Sequence, residues 1–184
     1  MPPIIRASTE SLHRMTDMKT GVNPLFLREE ELRQAMEMLF YAYRDFTAEP
    51  DTMLEKIGLG RAHHRVIYFV GRHPHITVTD LLGILRITKQ SLSRVLQDLV
   101  REEYIVQRQG TRDRRQRLLD LTPKGQELER QLSEPQRQLI ARAYRRAGAE
   151  AVEGFRKVMV GIMDDSDRDT FAQARPAVAA LAKR

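Results

Sequence analysis

No cysteine occurs among the 184 residues. That excludes a disulfide framework, a thiolate metal site and any thiol-based redox switch. No apolar run approaches the roughly 18 residues of a membrane span. Residues 1–21 lack the apolar core of a secretory leader. The expected setting is the cytoplasm, with no membrane partner. The chain also has no internal repeat, no low-complexity tract and no glycine-rich phosphate loop. No catalytic constellation stands out. Ser91 and Ser93 have no adjacent base, and the acid clusters Glu29-Glu30-Glu31 and Asp164-Asp165 look like solvated helix ends. The expectation is a protein that is not an enzyme and carries no cofactor.

What is present is a charged, well-packed composition. Hydrophobic residues make up 41% of the chain, enough for a core, and charged residues 30%. Lys and Arg number 31 against 25 Asp and Glu, giving a formal net charge of +6. A basic balance admits nucleic acid or an anionic membrane surface as partner. It equally suits a protein that merely happens to be basic.

Residues 1–24 have mixed charge and little periodicity, as expected of a flexible arm. From Leu25 onward Leu32, Met36, Leu39, Phe40 and Tyr43 recur at helical spacing, which predicts an amphipathic helix ending near Pro50. A second helix is expected over 59–72, closed by His73-Pro74-His75. Thr77, with Asp80 three residues on, predicts a cap for a short helix to about Leu85. After a break at Arg86-Ile87, Thr88 caps a further helix with Leu92, Val95, Leu96, Leu99 and Val100 on one face. The period then becomes that of strands over 105–108 and 115–121, a hairpin with a basic tip. Thr122-Pro123 is an N-cap followed by a proline at the first helical position. That helix is expected to run to about Ala147, bent or broken at Pro135. Helices over about 149–163 and 166–181 complete the chain. Met36, Met38, Met53, Met159 and Met163 fall at core-like spacing and are expected to pack.

Two short helices separated by a tight turn, then a hairpin, make a winged helix-turn-helix. With Leu92, Val95 and Leu99 buried, about 100° per residue sets Gln90, Arg94 and Gln97 nearly opposite. Lys89, Ser91 and Ser93 flank them. Arg suits guanine edges, Gln adenine edges, and Ser or Thr bases or phosphates. The candidate reading surface is therefore Thr88, Lys89, Gln90, Ser91, Ser93 and Arg94. Between Arg108 and Arg117 lie five arginines and one acid, Asp113. A cationic hairpin tip can enter a narrow minor groove, so Arg112, Asp113, Arg114 and Arg115 are candidate wing contacts. Asp113 is expected to orient a neighbouring guanidinium. The alternative is a solvated, charge-rich loop.

The segment Ile87-Thr88-Lys89-Gln90-Ser91-Leu92-Ser93-Arg94-Val95-Leu96, the D-x-R pattern at Asp113 and Arg115, and Leu121-Thr122-Pro123-Lys124-Gly125 occur in that order. Together they resemble the MarR family of bacterial transcriptional regulators over about 25–163. The resemblance implies a mainly α fold with a small β-hairpin wing, a winged helix-turn-helix joined to a helical dimerisation region. It implies an arm over 1–24, a dimerisation helix over 25–52, a DNA-binding domain over 53–121 and C-terminal dimerisation helices over 122–184. It further implies a homodimer on a pseudo-palindromic operator of double-stranded DNA, acting as a repressor and modulated by a small ligand. One departure is Arg86, at a turn where the family often has glycine; an arginine there could add a phosphate contact. Two rival functions remain at this point. One is a winged-helix protein-interaction module, which would tend to show exposed apolar anchors on the reading surface. The other is an architectural DNA binder without sequence preference.

His63, His64, His73 and His75 cluster in sequence. A metal site is the sharper interpretation, but His63 and His64 point about 100° apart on a helix, and no i, i+4 pair is present. The expectation is no metal. His64 falls where the resemblance places a large aromatic lining an effector cleft. Tyr41, His64, Arg65 and Tyr68 are the candidate liners; the alternative is that they are ordinary core and surface residues.

Overall fold

A computed structural model describes residues 25–110 and 113–173. The arm over 1–24, wing residue Arg112 and the end of the expected terminal helix lie outside the described residues. The elements are α1 (Glu29–Glu55), α2 (Arg61–Arg72), β1 (Ile76–Thr77), α3 (Val78–Leu85), α4 (Lys89–Arg101), β2 (Ile105–Gln109), β3 (Arg117–Leu121), α5 (Pro123–Ile162) and α6 (Asp165–Gln173), preceded by a 3-10 turn at Leu25–Leu27. The chain divides into two compact units, Met1–Asp45 and Phe46–Arg184. In the first, every described residue is exposed, including Leu32, Leu39 and Phe40, and so are Met36 and Met38, which were expected to pack.

The second unit holds the core. Leu54 of α1 and Val66, Ile67 and Val70 of α2 meet Leu81, Leu92, Leu96, Leu99, Ile105, Leu119, Leu128 and Leu132, all buried. The expected face of α4 is buried at Leu92, Val95, Leu96 and Leu99, whereas Val100 is exposed. The sheet order is β1-β3-β2, antiparallel throughout. The hairpin is the one expected. β1 was not, because two residues are too few to show a strand period; Ile76 pairs with Leu119 and Thr77 with Leu118.

Helix starts follow the capping residues. The Asp80 N–H donates to Thr77 Oγ1 at 3.0 Å, and the Thr77 hydroxyl donates to the Asp80 carboxylate at 2.7 Å. Thr88 Oγ1 accepts the Ser91 N–H at 3.1 Å, and Thr122 Oγ1 accepts the Gly125 N–H at 3.0 Å. The prolines behave differently from expectation. Pro50 lies inside α1 without ending it. A proline frees the carbonyl four residues back, here that of Phe46, and Gln136 Nε2 of α5 donates to it at 3.2 Å. Pro135 likewise leaves α5 continuous. The break falls at Gly148 (φ 81°, ψ 167°), near the expected boundary, so α5 is two helical segments meeting at a kink.

The segment after β3 is closely fitted. Thr122 donates its N–H to the Tyr104 carbonyl at 3.1 Å and its hydroxyl to the Glu103 carbonyl at 2.6 Å. Lys124 Nζ donates to the Glu102 carbonyl at 2.7 Å and lies 4.5 Å from the Tyr104 ring centroid. A Cβ on Gly125 would collide with the Tyr104 carbonyl. The Thr-Pro-Lys-Gly run is thus a cap, a helix start, a carbonyl clamp and a clearance. Gly125→Ala is expected to lower stability by about 1–3 kcal/mol, as for other overpacked sites, seen as a lower midpoint in urea denaturation. An unchanged midpoint would show that this corner yields freely.

Candidate nucleic-acid interface

α4 presents its polar face outward. Lys89, Gln90, Ser91, Ser93, Arg94 and Gln97 are all exposed. No acid lies in its first turn, so the helix dipole favours an anion there. The acids of α4 are matched at its other end: Asp98 pairs with Arg101 at 2.9 Å and faces His63 Nε2 at 3.4 Å, while Glu102 pairs with Arg101 at 3.1 Å. The hydroxyls of Thr88 and Ser91 bond each other at 2.8 Å. They shape the start of the helix, leaving the Lys89, Gln90, Ser93 and Arg94 side chains projecting beyond it.

The hairpin tip is a hydrogen-bonded turn. Gly110 N–H donates to the Gln116 carbonyl at 3.0 Å and Gln116 N–H to the Asp113 carbonyl at 3.1 Å. Gln109 Nε2 donates to the Arg114 carbonyl at 2.8 Å. The Asp113 carboxylate accepts the backbone N–H of Arg115 at 2.9 Å. Asp113 therefore organises the backbone, and among the described residues no guanidinium pairs with it. Two residues is the ordinary reach of an Asx turn. Arg108, Arg114, Arg115 and Arg117 are exposed and, like Lys89 and Arg94, pair with no carboxylate among the described residues. At the opposite end of β3, Asp120 accepts both the backbone N–H and Nδ1 of His75 at 3.0 Å.

Arg86 has φ 50° and ψ 41°, the left-handed region. This is why a glycine suits the turn, and it shows that arginine here adopts the same backbone. Its guanidinium is occupied: it contacts Asp164, Ser166 at 2.9 Å and Asp167 at 3.1 Å.

The histidines go to separate partners. His63 Nδ1 accepts the Gly60 N–H at 3.1 Å, His73 stacks on Phe69, and His75 binds Asp120. No group of three or more metal-ligating side chains gathers among the described residues. Of the candidate effector residues, Tyr41 stands exposed in the first unit with the Arg44 guanidinium 4.8 Å from its ring centroid. His64 and Tyr68 share a face of α2, His64 half-buried and Tyr68 exposed with its ring edge-to-face on Phe69; Arg65 is exposed. A cleft of about 260 Å³ in the second unit is lined by Gly71, Pro74, Asp120, Gln126 and Glu129 among others, and by none of these four.

The arrangement of a helix pair, a capped second helix and a three-stranded sheet ending in a basic hairpin defines a winged helix-turn-helix. The MarR family pattern matches residues 57–116, from the connection after α1 into the hairpin. A relative named HTH-type transcriptional regulator PetP, from Rhodobacter capsulatus, is 48% identical over 157 residues, covering 85% of this chain and 95% of its own. Among solved structures, Staphylococcus aureus MarR in complex with salicylate and kanamycin superposes with TM-score 0.60 at 20% identity, covering 73% of this chain and 91% of that one. A MarR variant from E. coli complexed with operator DNA gives TM-score 0.56 at 17% identity, covering 77% of this chain and 100% of that one. The chain belongs to the MarR family. The names it matches are those of transcriptional regulators, not enzymes.

Burial holds the pKa of His64 below its ordinary 6.5, with Arg65 acting in the same direction and Asp51 and Glu129 opposing. The folded protein therefore keeps His64 neutral where the unfolded chain would take up a proton. Its contribution to stability is complete above about pH 6.5 and falls as the pH drops below that value, because the unfolded state then binds more protons. Urea denaturation at about pH 7.5 and 5.5 is expected to show a weaker fold at the lower pH, and a smaller difference in His64→Gln. An identical pH dependence in the two proteins would contradict it.

Proposed function

We propose that this protein is a sequence-specific regulator that binds double-stranded DNA as a homodimer and acts as a repressor in the cytoplasm. The observation that carries the proposal is the set of exposed cations and polar groups, unpaired with any described carboxylate, at two features of one winged helix: the start of α4 and the tip of the hairpin. Arg94 and Gln90 would meet base edges in the major groove, and Arg114 and Arg115, with Arg112, would meet the backbone or minor groove. Among the described residues, the start of α4 and the hairpin tip offer no large apolar anchor, which counts against a protein-docking role. A two-fold dimer would set two such helices about 34 Å apart, one turn of DNA, on a pseudo-palindromic operator. Exposed apolar side chains support the dimer: Leu32, Leu39 and Phe40 in the first unit, and Phe155, Val158 and Ile162 on α5 in the second. Modulation by a small ligand is supported by the Staphylococcus aureus relative, whose structure holds salicylate and kanamycin; Tyr41, His64, Arg65 and Tyr68 are the residues to test for it.

Duplexes from the promoters of its own and neighbouring genes test the proposal by fluorescence anisotropy. Arg94→Ala is expected to weaken binding by about 1–3 kcal/mol and relax base preference at one position. Arg115→Ala is expected to weaken it across sequences and flatten the slope of log K against log salt by about 1. Equal affinity for promoter and random duplex would instead identify an architectural binder. For assembly, sedimentation equilibrium is expected to give twice the chain mass, and Val158→Glu to move the population toward monomer. A wild-type monomer at micromolar concentration removes the dimer from the proposal.

A further inference from the structure

Arg86 occupies a left-handed backbone position that glycine adopts without strain and other residues adopt at a cost. A side chain kept at such a position points to a task that glycine cannot perform. The guanidinium lies two residues before Thr88, the cap of the helix whose start is the proposed DNA-reading end. Three groups converge on it: the carboxylates of Asp164 and Asp167 and the hydroxyl of Ser166, the last two at 3.1 and 2.9 Å. These partners come from residues 78 to 81 positions away, at the junction of α5 and α6.

The junction is itself anchored. Arg168 donates to the Val160 carbonyl at 3.2 Å and the Gly161 carbonyl at 3.0 Å, closing the end of α5, and binds Asp165 at 2.7 Å. Asp164 accepts two backbone N–H groups, from Asp167 and Arg168, at its carbonyl. The acids thus sit on a braced corner. A planar guanidinium takes a carboxylate and a phosphate by the same forked geometry. Groups that hold it in the free protein occupy donors that a phosphate would use.

We propose that Asp164, Ser166 and Asp167 form an internal latch on Arg86, which competes with DNA phosphate for its guanidinium and so restrains DNA binding. This rests on the DNA-binding function proposed above. It makes the α5–α6 corner a regulatory element: whatever draws α6 away from the helix-turn-helix releases one more cation to the DNA.

Binding of the full chain to a promoter duplex, measured by anisotropy over a range of salt, tests this. Asp164→Asn with Asp167→Asn is expected to bind about fivefold tighter, the scale of a surface ion-pair network. Its log K against log salt should be steeper by about 0.9, one additional phosphate contact. Arg86→Gly removes the guanidinium without straining the turn, and in that background the two asparagines should change neither quantity. Unchanged or weaker binding by the asparagine pair overturns the latch. So does equal tightening in the Arg86→Gly background, since that would be a general effect of lost negative charge. Absence of duplex binding by the wild type overturns the proposed function instead. The latch then has its own measurement without DNA: amide hydrogen exchange at 86–88 should be faster in the asparagine pair, and unchanged exchange refutes the contact.

Discussion

The helix-turn-helix and the hairpin are held in register by one corner, where the chain leaves α4 and where it later enters α5. Three consecutive carbonyls at 102–104 face the start of α5, and each finds a donor there: Lys124 Nζ, the Thr122 hydroxyl and the Thr122 N–H. Glu103 takes a left-handed conformation to present them. The N–H groups of 102–104 close the end of α4 on the carbonyls of Asp98, Leu99 and Val100, and the carbonyls of the same three residues are satisfied by the entry to α5. β2 and β3, which begin and end at this corner, inherit their pairing from it: Ile105 lies opposite Leu121. The position of the basic tip relative to α4 follows from that register.

Sequence showed those parts of the fold whose causes are local. Thr77, Thr88 and Thr122 act as caps because a hydroxyl reaches an N–H two or three residues on, and that needs nothing from the rest of the chain. The buried face of α4 followed from helical period alone. Features with distant causes were not visible. Pro50 was expected to end α1, and the residue that lets the helix continue, Gln136, lies 86 positions later. β1 became a strand only because β3 was beside it. Asp113 forms an Asx turn with the Arg115 N–H, a local outcome that composition does not single out.

The candidate interface was legible for a different reason. Reading DNA calls for groups that the folded protein leaves unmatched, and unmatched cations are visible as arginines with few acids nearby. The wing and the first turn of α4 have that character in sequence and keep it in the structure. Arg86 is the counterexample. By sequence it is another cation beside the reading helix, and only the fold brings Asp164 and Asp167 to it. The candidate effector residues were less legible, since a binding cleft is a property of assembled surfaces; Tyr41 and the three α2 residues even belong to different units.

The kink at Gly148 has a mechanical consequence. From Ala149 to Ile162, at 1.5 Å per residue, the distal segment of α5 is an arm about 21 Å long. A torsion of about 10° at its base displaces the far end by roughly 4 Å, more than the length of a hydrogen bond. A small change in the backbone angles of this one glycine would therefore be magnified along the segment, and at its end sits the acidic corner that grips Arg86.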